Sequence, residues 1–465
     1  MGRPSLALTF SSAAYIATGY LVSVGLARLL APAGFGSYAV VTAFLTIVNF
    51  IVGRGVPVAA SRTIAAAPSS LAATMRTAWR VTFWLVIATG TLTLLGSFPA
   101  AAVLGEELRV PLQVGAIAAF TFAVQAMSVA PLNGLRRFGW QAATRIGYAV
   151  SRVVLILLGA WQWGVTGAIA GYVAAPLIAS IPAFFAPGRR GAPEAGGNPK
   201  AAGRAVATGP TARALLRQAT PLLLTSVGIS LLLTVDLIAI RAVTSAHDSG
   251  LYGVAGTLAH VPFFLMAMLP TEALPRIAAE LDDARRRMLA SRLLDDTVLM
   301  LTAPTLGLLA IGPRLIELIF GARYAGAGEL VAPLALATAA VTIHSMLVAV
   351  DGAVSRLRLT VMLGAGGTLA MAAAVAVVGS SSGLEPAAWA AMLVASLLAI
   401  VHWRLTTRAG RIAAPSGGSL ILIAAMLAFG AAPLLGWSGG WFELVGLLAT
   451  ALATVVAAPR LLRRS

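Results

Sequence analysis

Long apolar stretches separated by short polar segments run along the whole chain. Eleven of them reach membrane-spanning length and three are weaker, and a bilayer core needs about 20 mostly apolar residues per helical span. We therefore predict an all-α integral membrane protein with about fourteen transmembrane helices, near residues 6–30, 37–58, 81–98, 110–130, 142–161, 164–185, 219–240, 251–269, 297–311, 330–350, 359–378, 387–401, 420–435 and 442–456.

The basic residues fall into alternate loops between these stretches. If the N-terminus is cytoplasmic, 27 of the 33 Lys and Arg residues lie on the cytoplasmic side, where the loops of membrane proteins retain positive charge. The pattern predicts a multi-pass protein of the inner (plasma) membrane with both termini in the cytoplasm.

The composition narrows the possible partners. Charged residues make up 11% of the chain, against roughly 25% in soluble globular proteins. The net charge of +17 therefore reflects the loop arginines, which attract anionic membrane lipids, and it does not indicate binding to nucleic acid. The chain has no cysteine, so disulfides and thiolate metal sites are excluded. We expect neither a metal nor a cofactor.

One long polar interruption divides the predicted helices. It is rich in Gly, Ala, Pro and Arg, a composition typical of flexible linkers, and it spans residues 187–217. We predict an N-lobe of six helices at 1–186, a cytoplasmic linker at 187–217, a C-lobe of six helices at 218–404, and two further helices with a basic tail at 405–465.

The two predicted lobes share a short pattern. In each, an apolar helix ends at an Arg, a turn follows, and Gly-x-Tyr opens the next helix; the two copies run from Arg28 to Tyr38 and from Arg241 to Tyr252. Six helices is an even number, so the copies would cross the membrane in the same direction, as in transporters built from parallel repeats. Similar short turns also arise by chance.

The sequence gives no support for enzyme chemistry. The segment Gly379 to Gly383 matches Gly-x-Ser-x-Gly, but it lies in a predicted outer loop between helices, with no strand to form a nucleophile elbow. The single lysine, Lys200, lacks the glycine-rich frame of a phosphate-binding loop. The four histidines, His247, His260, His344 and His402, stand in unrelated sequence contexts and form no His-Glu-x-x-His motif. The chain is therefore predicted to be a membrane transporter and not an enzyme.

Polar residues inside the predicted helices mark the candidate sites. A charged side chain at the centre of a membrane helix costs about 2.5 to 3.5 kcal/mol on insertion scales, so such residues indicate function. Arg54, Arg152, Asp236 and His260 are candidates for a substrate cavity. Alternatives are a salt bridge between Arg152 and Asp236, an Arg54 side chain that reaches the headgroups, and a structural hydrogen bond for His260.

A second pair lies on the tenth predicted helix. His344 and Asp351 are seven residues apart, two helical turns, and therefore share one face. We consider them as possible ion-coupling residues, with the alternative that Asp351 is an interfacial residue near Arg356.

Several segments, in order along residues 6–401, resemble one transporter family. They begin with the motif Ala27 to Tyr38, continue with Gly55 to Arg62 and Gly250 to Ala255, and end with Leu318 to Tyr324 and Asp351 to Arg356; Leu274 to Ala278 adds a further match. On these segments the chain resembles the polysaccharide exporters of the multidrug/oligosaccharidyl-lipid/polysaccharide (MOP) superfamily, the Wzx-type flippases of lipid-linked oligosaccharides.

The resemblance implies a fold and an activity. It implies two six-helix lobes in a V, followed by two C-terminal helices, and alternating access that moves a polyprenyl-diphosphate-linked oligosaccharide from the inner to the outer leaflet. The partners would be this lipid-linked saccharide, membrane lipids, and the glycosyltransferases or glycan polymerase of the same pathway. The diphosphate would bind in a cationic cavity, where Arg offers two forked donors to phosphate oxygens.

Three other functions remain open at this point. A multidrug cation exporter of the same superfamily would carry a carboxylate in its first helix, and the stretch 6–30 has none. A lipid II flippase would have a cavity arginine in that helix, where this chain has only Arg28 at the outer end. A membrane-embedded glycan polymerase or ligase would need a large outer loop with grouped catalytic residues.

Overall fold

The structure, a computed structural model, describes residues 3–186, 209–354, 357–432 and 440–462. These ranges contain α-helices, short 3-10 turns and no strands. Most of the predicted linker, 187–208, lies outside the described residues. The helices divide into two compact units: the first comprises residues 1–30 and 37–227, and the second comprises residues 31–36 and 228–465.

The first unit contains six helices and the start of a seventh. They are α1 Arg3–Arg54, α2 Val56–Ala66, α3 Leu71–Leu104, α4 Arg109–Gly115, α5 Ala118–Gly134, α6 Phe138–Phe185 and the beginning of α7 Ala212–Leu232.

Two of these helices are interrupted by residues with a left-handed backbone. The interruption in α1 is at Ala31, with φ 56°, and the one in α6 is at Trp163 and Gly164, where Gly164 has φ 56°. In α6 the chain folds back on itself, because a Cβ added at Gly171 would meet the backbone of Leu155 and Ser151 Oγ donates to the carbonyl of Ala175 at 3.2 Å.

The second unit contains the remaining helices. They are α8 Val235–Val243, α9 Ala246–Ala259, α10 Val261–Met266, α11 Met268–Ala279, α12 Asp283–Phe320, α13 Gly328–Ala353, α14 Leu357–Ser382, α15 Leu384–Arg408, α16 Gly417–Ala431 and α17 Gly440–Leu462.

Helix α13 lies at the centre of the second unit. In its most apolar stretch 94% of the residues are buried, as expected for a helix that is apolar on every side. Helices α16 and α17 instead pack on the outside of α12, where Arg314 and Glu443 form an ion pair between α12 and α17.

The predicted number of membrane helices is confirmed. Ten helical segments of the described chain are long and apolar enough to cross a membrane, and two shorter apolar helices follow them. Two of the ten segments each contain two predicted spans that are separated by an interruption. One of these segments is α1 together with α2, and the other is α6. The total is fourteen spans in an all-α multi-pass membrane protein.

The two copies of the predicted repeat motif lie against each other. A Cβ on Gly36 would meet the carbonyl oxygen of Ala246, and one on Gly250 would meet the backbone of Pro32. Both turns belong to the second unit, because residues 31–36 are part of it. Glycine is therefore required in both motifs by the close approach of the two backbones.

Candidate functional site

Arg152 is held in the first unit by neutral neighbours. It lies on the first half of α6 with 9% of its surface exposed. Its guanidinium donates to the carbonyl oxygen of Tyr15 and, at 2.7 Å, to Thr18 Oγ1, both on α1. The carbon at the centre of the guanidinium is 4.4 Å from the Tyr15 ring centroid and 5.5 Å from that of Tyr148, within cation–π range.

The charge of Arg152 is not balanced by a carboxylate within these contacts. Its Nε atom is buried and has no hydrogen-bond partner in the described part of the chain. Residues 1–227 contain three acidic residues: Glu106 and Glu107, in the turn before α4, and Glu194, which lies outside the described residues. A buried charge without a counterion is costly, so this site is suited to an anion.

Two more arginines extend this positive site. Arg145, seven residues before Arg152 and thus on the same face of α6, donates from NH1 to Ser12 Oγ at 2.7 Å. Arg54 is exposed at the end of α1, lies 5.4 Å from the Phe50 ring centroid, and interacts electrostatically with Arg145. We refer to Arg54, Arg145 and Arg152 as the arginine cluster.

Asp236 and His260 line one pocket of the second unit. The rest of its lining is mostly apolar and consists of Leu232, Leu233, Leu334, Ala337, Thr338, Val341 and Met371. The Asp236 carboxylate accepts hydrogen bonds from the Leu237 backbone at 2.9 Å and from Tyr252 Oη at 3.1 Å. The structure thus brings together two of the cavity candidates and gives Asp236 a tyrosine partner from the second copy of the repeat motif.

His344 and Asp351 are joined through His402. The Nδ1 atoms of His344 and His402 are 3.0 Å apart, and His402 Nε2 is 3.2 Å from Asp351 Oδ2. Arg411 donates to Asp351 Oδ1 at 2.6 Å, and Thr360 Oγ1 donates to Oδ2 at 2.8 Å. We refer to His344, Asp351 and His402 as the histidine–aspartate cluster.

The histidine–aspartate cluster is deeply buried. His402 and Asp351 have no exposed side-chain surface, and His344 is 2% exposed. The sequence placed His344 and Asp351 on one face of a helix, as they are here. His402 was not among the sequence candidates; α13 and α15 pack side by side and bring two histidines that are 58 residues apart in the sequence into contact. Arg356, the neighbour considered for Asp351, lies outside the described residues.

Comparison with known proteins identifies the family. Residues 6–279, more than half of the chain, match the family model described as "Polysaccharide biosynthesis protein". A search of curated proteins finds no match.

Solved structures share the fold. One is the lipid II flippase MurJ in an inward closed conformation, with 14% identity, a TM-score of 0.69, and coverage of 99% of each chain. Another is an inward-facing MATE-family multidrug resistance transporter of the MOP superfamily, with 12% identity, a TM-score of 0.65, and coverage of 88% of this chain and 94% of that one. At these identities the likeness concerns the fold. The family model, which covers more than half of the chain, shows that the chain belongs to the family described as "Polysaccharide biosynthesis protein".

Proposed function

We propose that the protein is a flippase that moves a polyprenyl-diphosphate-linked oligosaccharide from the inner to the outer leaflet by alternating access. The arginine cluster would bind the diphosphate, while the polyprenyl chain stays in the bilayer. The family supports a role in polysaccharide synthesis, and the flippase and transporter folds support movement of a substrate across the membrane.

The charge distribution of the first unit is the observation that carries this proposal. Arg54, Arg145 and Arg152 lie on α1 and α6, and these helices contain no Asp or Glu. Attraction between unlike charges is several times stronger in a partly dehydrated site than in water. A diphosphate would therefore supply the negative charge that α1 and α6 lack.

The geometry of Arg152 suits a phosphate ligand. Two aromatic rings restrict its guanidinium, and its buried Nε is left over as a donor. A guanidinium that is already ordered loses less entropy when it binds phosphate oxygens through its planar fork. A lysine at this position would keep the charge but lose the forked geometry.

A multidrug cation exporter is disfavoured by the same arginines, because positive charge on α1 and α6 repels a cationic drug. A lipid II flippase remains the second candidate, since the MurJ structure covers 99% of the chain, including the last two helices. Lipid II also carries a polyprenyl diphosphate, so the two candidates differ in the saccharide. No observation on the described residues favours a glycan polymerase or ligase.

A flippase of lipid-linked saccharides would act in the inner membrane, together with the enzymes that build and consume its substrate. We infer that the protein resides in the inner membrane with both termini in the cytoplasm, because 27 of its 33 basic residues then lie inside. Glycosyltransferases that build the lipid-linked saccharide, and a polymerase that consumes it, would act before and after transport.

Binding of a diphosphate lipid tests the role of the arginine cluster. The melting temperature of the purified protein is measured with a polyprenyl diphosphate and with the uncharged polyprenol. We expect the diphosphate to raise it. Arg152→Ala should weaken binding by about 10- to 100-fold, the cost of losing charged hydrogen bonds, and Arg152→Lys should weaken it less.

Arg109→Ala is the matched control, because Arg109 has a carboxylate partner in Glu106 and its side chain is 41% exposed. It should leave diphosphate binding unchanged. If Arg152→Ala lowers the melting temperature of the unliganded protein but keeps the full stabilisation by diphosphate, Arg152 is a structural residue and its assignment to the substrate site fails.

A further inference from the structure

The histidine–aspartate cluster has the hydrogen-bond pattern of a proton relay. An ionised Asp351 can only accept hydrogen bonds, so His402 Nε2 carries a hydrogen and His402 Nδ1 is the acceptor in the neutral ring. His344 Nδ1 must then donate to His402 Nδ1. In this arrangement His344 Nε2 is the one ring nitrogen of the pair that can accept a further proton.

A single proton can pass along this line without any group changing place. A proton that binds to His344 Nε2 makes His344 an imidazolium, and the Nδ1 hydrogen of His344 can then move to His402 Nδ1. The result is a neutral His344 with hydrogen on Nε2 and a positive His402 that donates from Nε2 to the Asp351 carboxylate. The pair has then taken up one proton, and the positive charge lies on His402, next to the negative Asp351 carboxylate.

The surroundings favour this charge transfer. Arg411 and Thr360 both donate to Asp351, which keeps the carboxylate ionised as an acceptor. Other charged groups on the helices that pack near this end of α13 have partners: Asp295 accepts from Ser416 and Ser419, and Glu272 pairs with Arg276 at 3.9 Å. The remaining charged residues on the first half of α12, the start of α14 and the end of α15 are Asp283, Arg285, Arg286, Arg287, Arg292, Asp296, Arg358, Arg404 and Arg408. Asp283 and Arg286 form an ion pair.

The pocket of Asp236 and His260 is lined in part by the same helix that carries His344 and Asp351. Ala337, which lines that pocket, precedes His344 by seven residues, and His344 precedes Asp351 by seven. The three positions share one face of α13, with about 10.5 Å along the axis between successive members. His402, on α15, belongs to the same unit, so the whole cluster lies within one compact unit of the chain.

We propose that His344, His402 and Asp351 form a proton-binding site that takes up one proton shared by the two imidazoles and passes it from His344 to His402, beside the Asp351 carboxylate. This inference concerns the protein alone and holds for any transported lipid. If the proposed function is also correct, the site is where transport would become sensitive to pH.

Nitrogen NMR on histidine tests this proposal directly, because the whole chain has four histidines. The full-length protein, labelled with ¹⁵N-histidine and reconstituted in lipid vesicles, is titrated from about pH 8 to pH 5, the range in which imidazoles change charge. We expect the signals of His344 and His402 to change together at one midpoint, with one proton taken up by the pair.

Two variants keep the test decisive. His247→Gln, at an exposed histidine on α9, should remove one independent signal and leave the shared step unchanged. Asp351→Asn retains both imidazoles but removes the charge that stabilises the imidazolium, so the shared step should move about one to three pH units lower.

Two results would overturn the proposal: His344 and His402 remaining neutral across the whole range, or changing charge at separate midpoints that Asp351→Asn does not move. The measurement uses no lipid-linked saccharide. A failure of the proposed transport function would therefore leave this result intact, and the reverse also holds.

Discussion

Glycines allow the two halves of α6 to touch through their backbones. A Cβ on Gly167 would meet the carbonyl group of Gly159, and a Cβ on Gly171 would meet that of Leu155. Small residues at such contacts are what let membrane helices approach closely. Gly167 and Gly171, at this spacing, therefore allow the two halves of α6 to pack closely.

Substituting Gly167 by Ala should lower the stability of the first unit. The added methyl group forces the two halves of α6 apart, at a cost of about 1 to 3 kcal/mol. Gly96→Ala on α3 is the matched control, because a Cβ there meets nothing within 4 Å. Thermal unfolding of the purified variants measures both changes, and equal melting temperatures for the two variants would refute the packing role of Gly167.

The sequence predicted some site residues and missed others for physical reasons. Arg152 stood out because a charge in an apolar stretch is costly. Arg145 was not among the sequence candidates, although it lies seven residues before Arg152 and thus on the same face of α6. His402 escaped notice because its partner His344 is 58 residues away, and a contact between distant helices leaves no local pattern.

At the scale of elements, α16 is held by one acidic residue of α12. Ser416 caps α16 by accepting from the Ser419 backbone nitrogen at 3.1 Å. Asp295 accepts from Ser416 Oγ at 3.0 Å and from Ser419 Oγ at 2.6 Å. The carboxylate therefore fixes the first turn of the penultimate helix against α12.

Replacing Asp295 by Ala should loosen the start of α16. Loss of the two hydrogen bonds and weakening of the cap are worth about 1 to 2 kcal/mol, so we expect faster proteolysis near residues 412–417 while the rest of the chain stays resistant. Glu317→Gln, an exposed acidic position at the other end of α12, serves as the control. Identical cleavage rates in the two variants would contradict the anchoring role.

Hydropathy located the helices and the two interruptions that fall between predicted spans, at Ala31 and at Trp163 and Gly164, but not the breaks inside single spans. In the described residues each predicted span lies mostly on helix, and some helices extend further, as α12 does from Asp283 to Phe320 around the predicted 297–311. An apolar stretch ends where charged residues begin, whereas the helix continues through those residues because backbone hydrogen bonding does not depend on their polarity. The break between α7 and α8 at residues 233–234 was not predicted, since Leu233 and Thr234 carry no breaking signal.

At the scale of the whole molecule, the charge pattern predicts how the chain crosses the membrane. The chain has no cysteine, so single cysteines can be introduced without background. A cysteine at Gly196, in the predicted linker, should be shielded from an impermeant thiol reagent added to intact cells, and one at Ser438, in a predicted outer loop, should react. Labelling of both cysteines after the cells are opened is the control, and the opposite pattern in intact cells would reverse the proposed orientation.

Movement of a lipid-linked saccharide between leaflets tests the central claim most directly. The purified protein is reconstituted in vesicles that contain a polyprenyl-diphosphate-linked oligosaccharide, and the fraction accessible from outside is followed with a membrane-impermeant glycosidase or lectin. We expect the wild-type protein to exchange the intact lipid between leaflets. Arg152→Ala at equal protein content should be nearly inactive, Arg152→Lys partly active, and Arg109→Ala unchanged.

Lipid II in parallel vesicles separates the two flippase candidates, and a cationic dye separates both from a multidrug exporter. Exchange of the oligosaccharide lipid, with its chemical structure unaltered, is the result that our account predicts. No exchange by a folded wild-type protein, or export of the dye in place of the lipid, would contradict it.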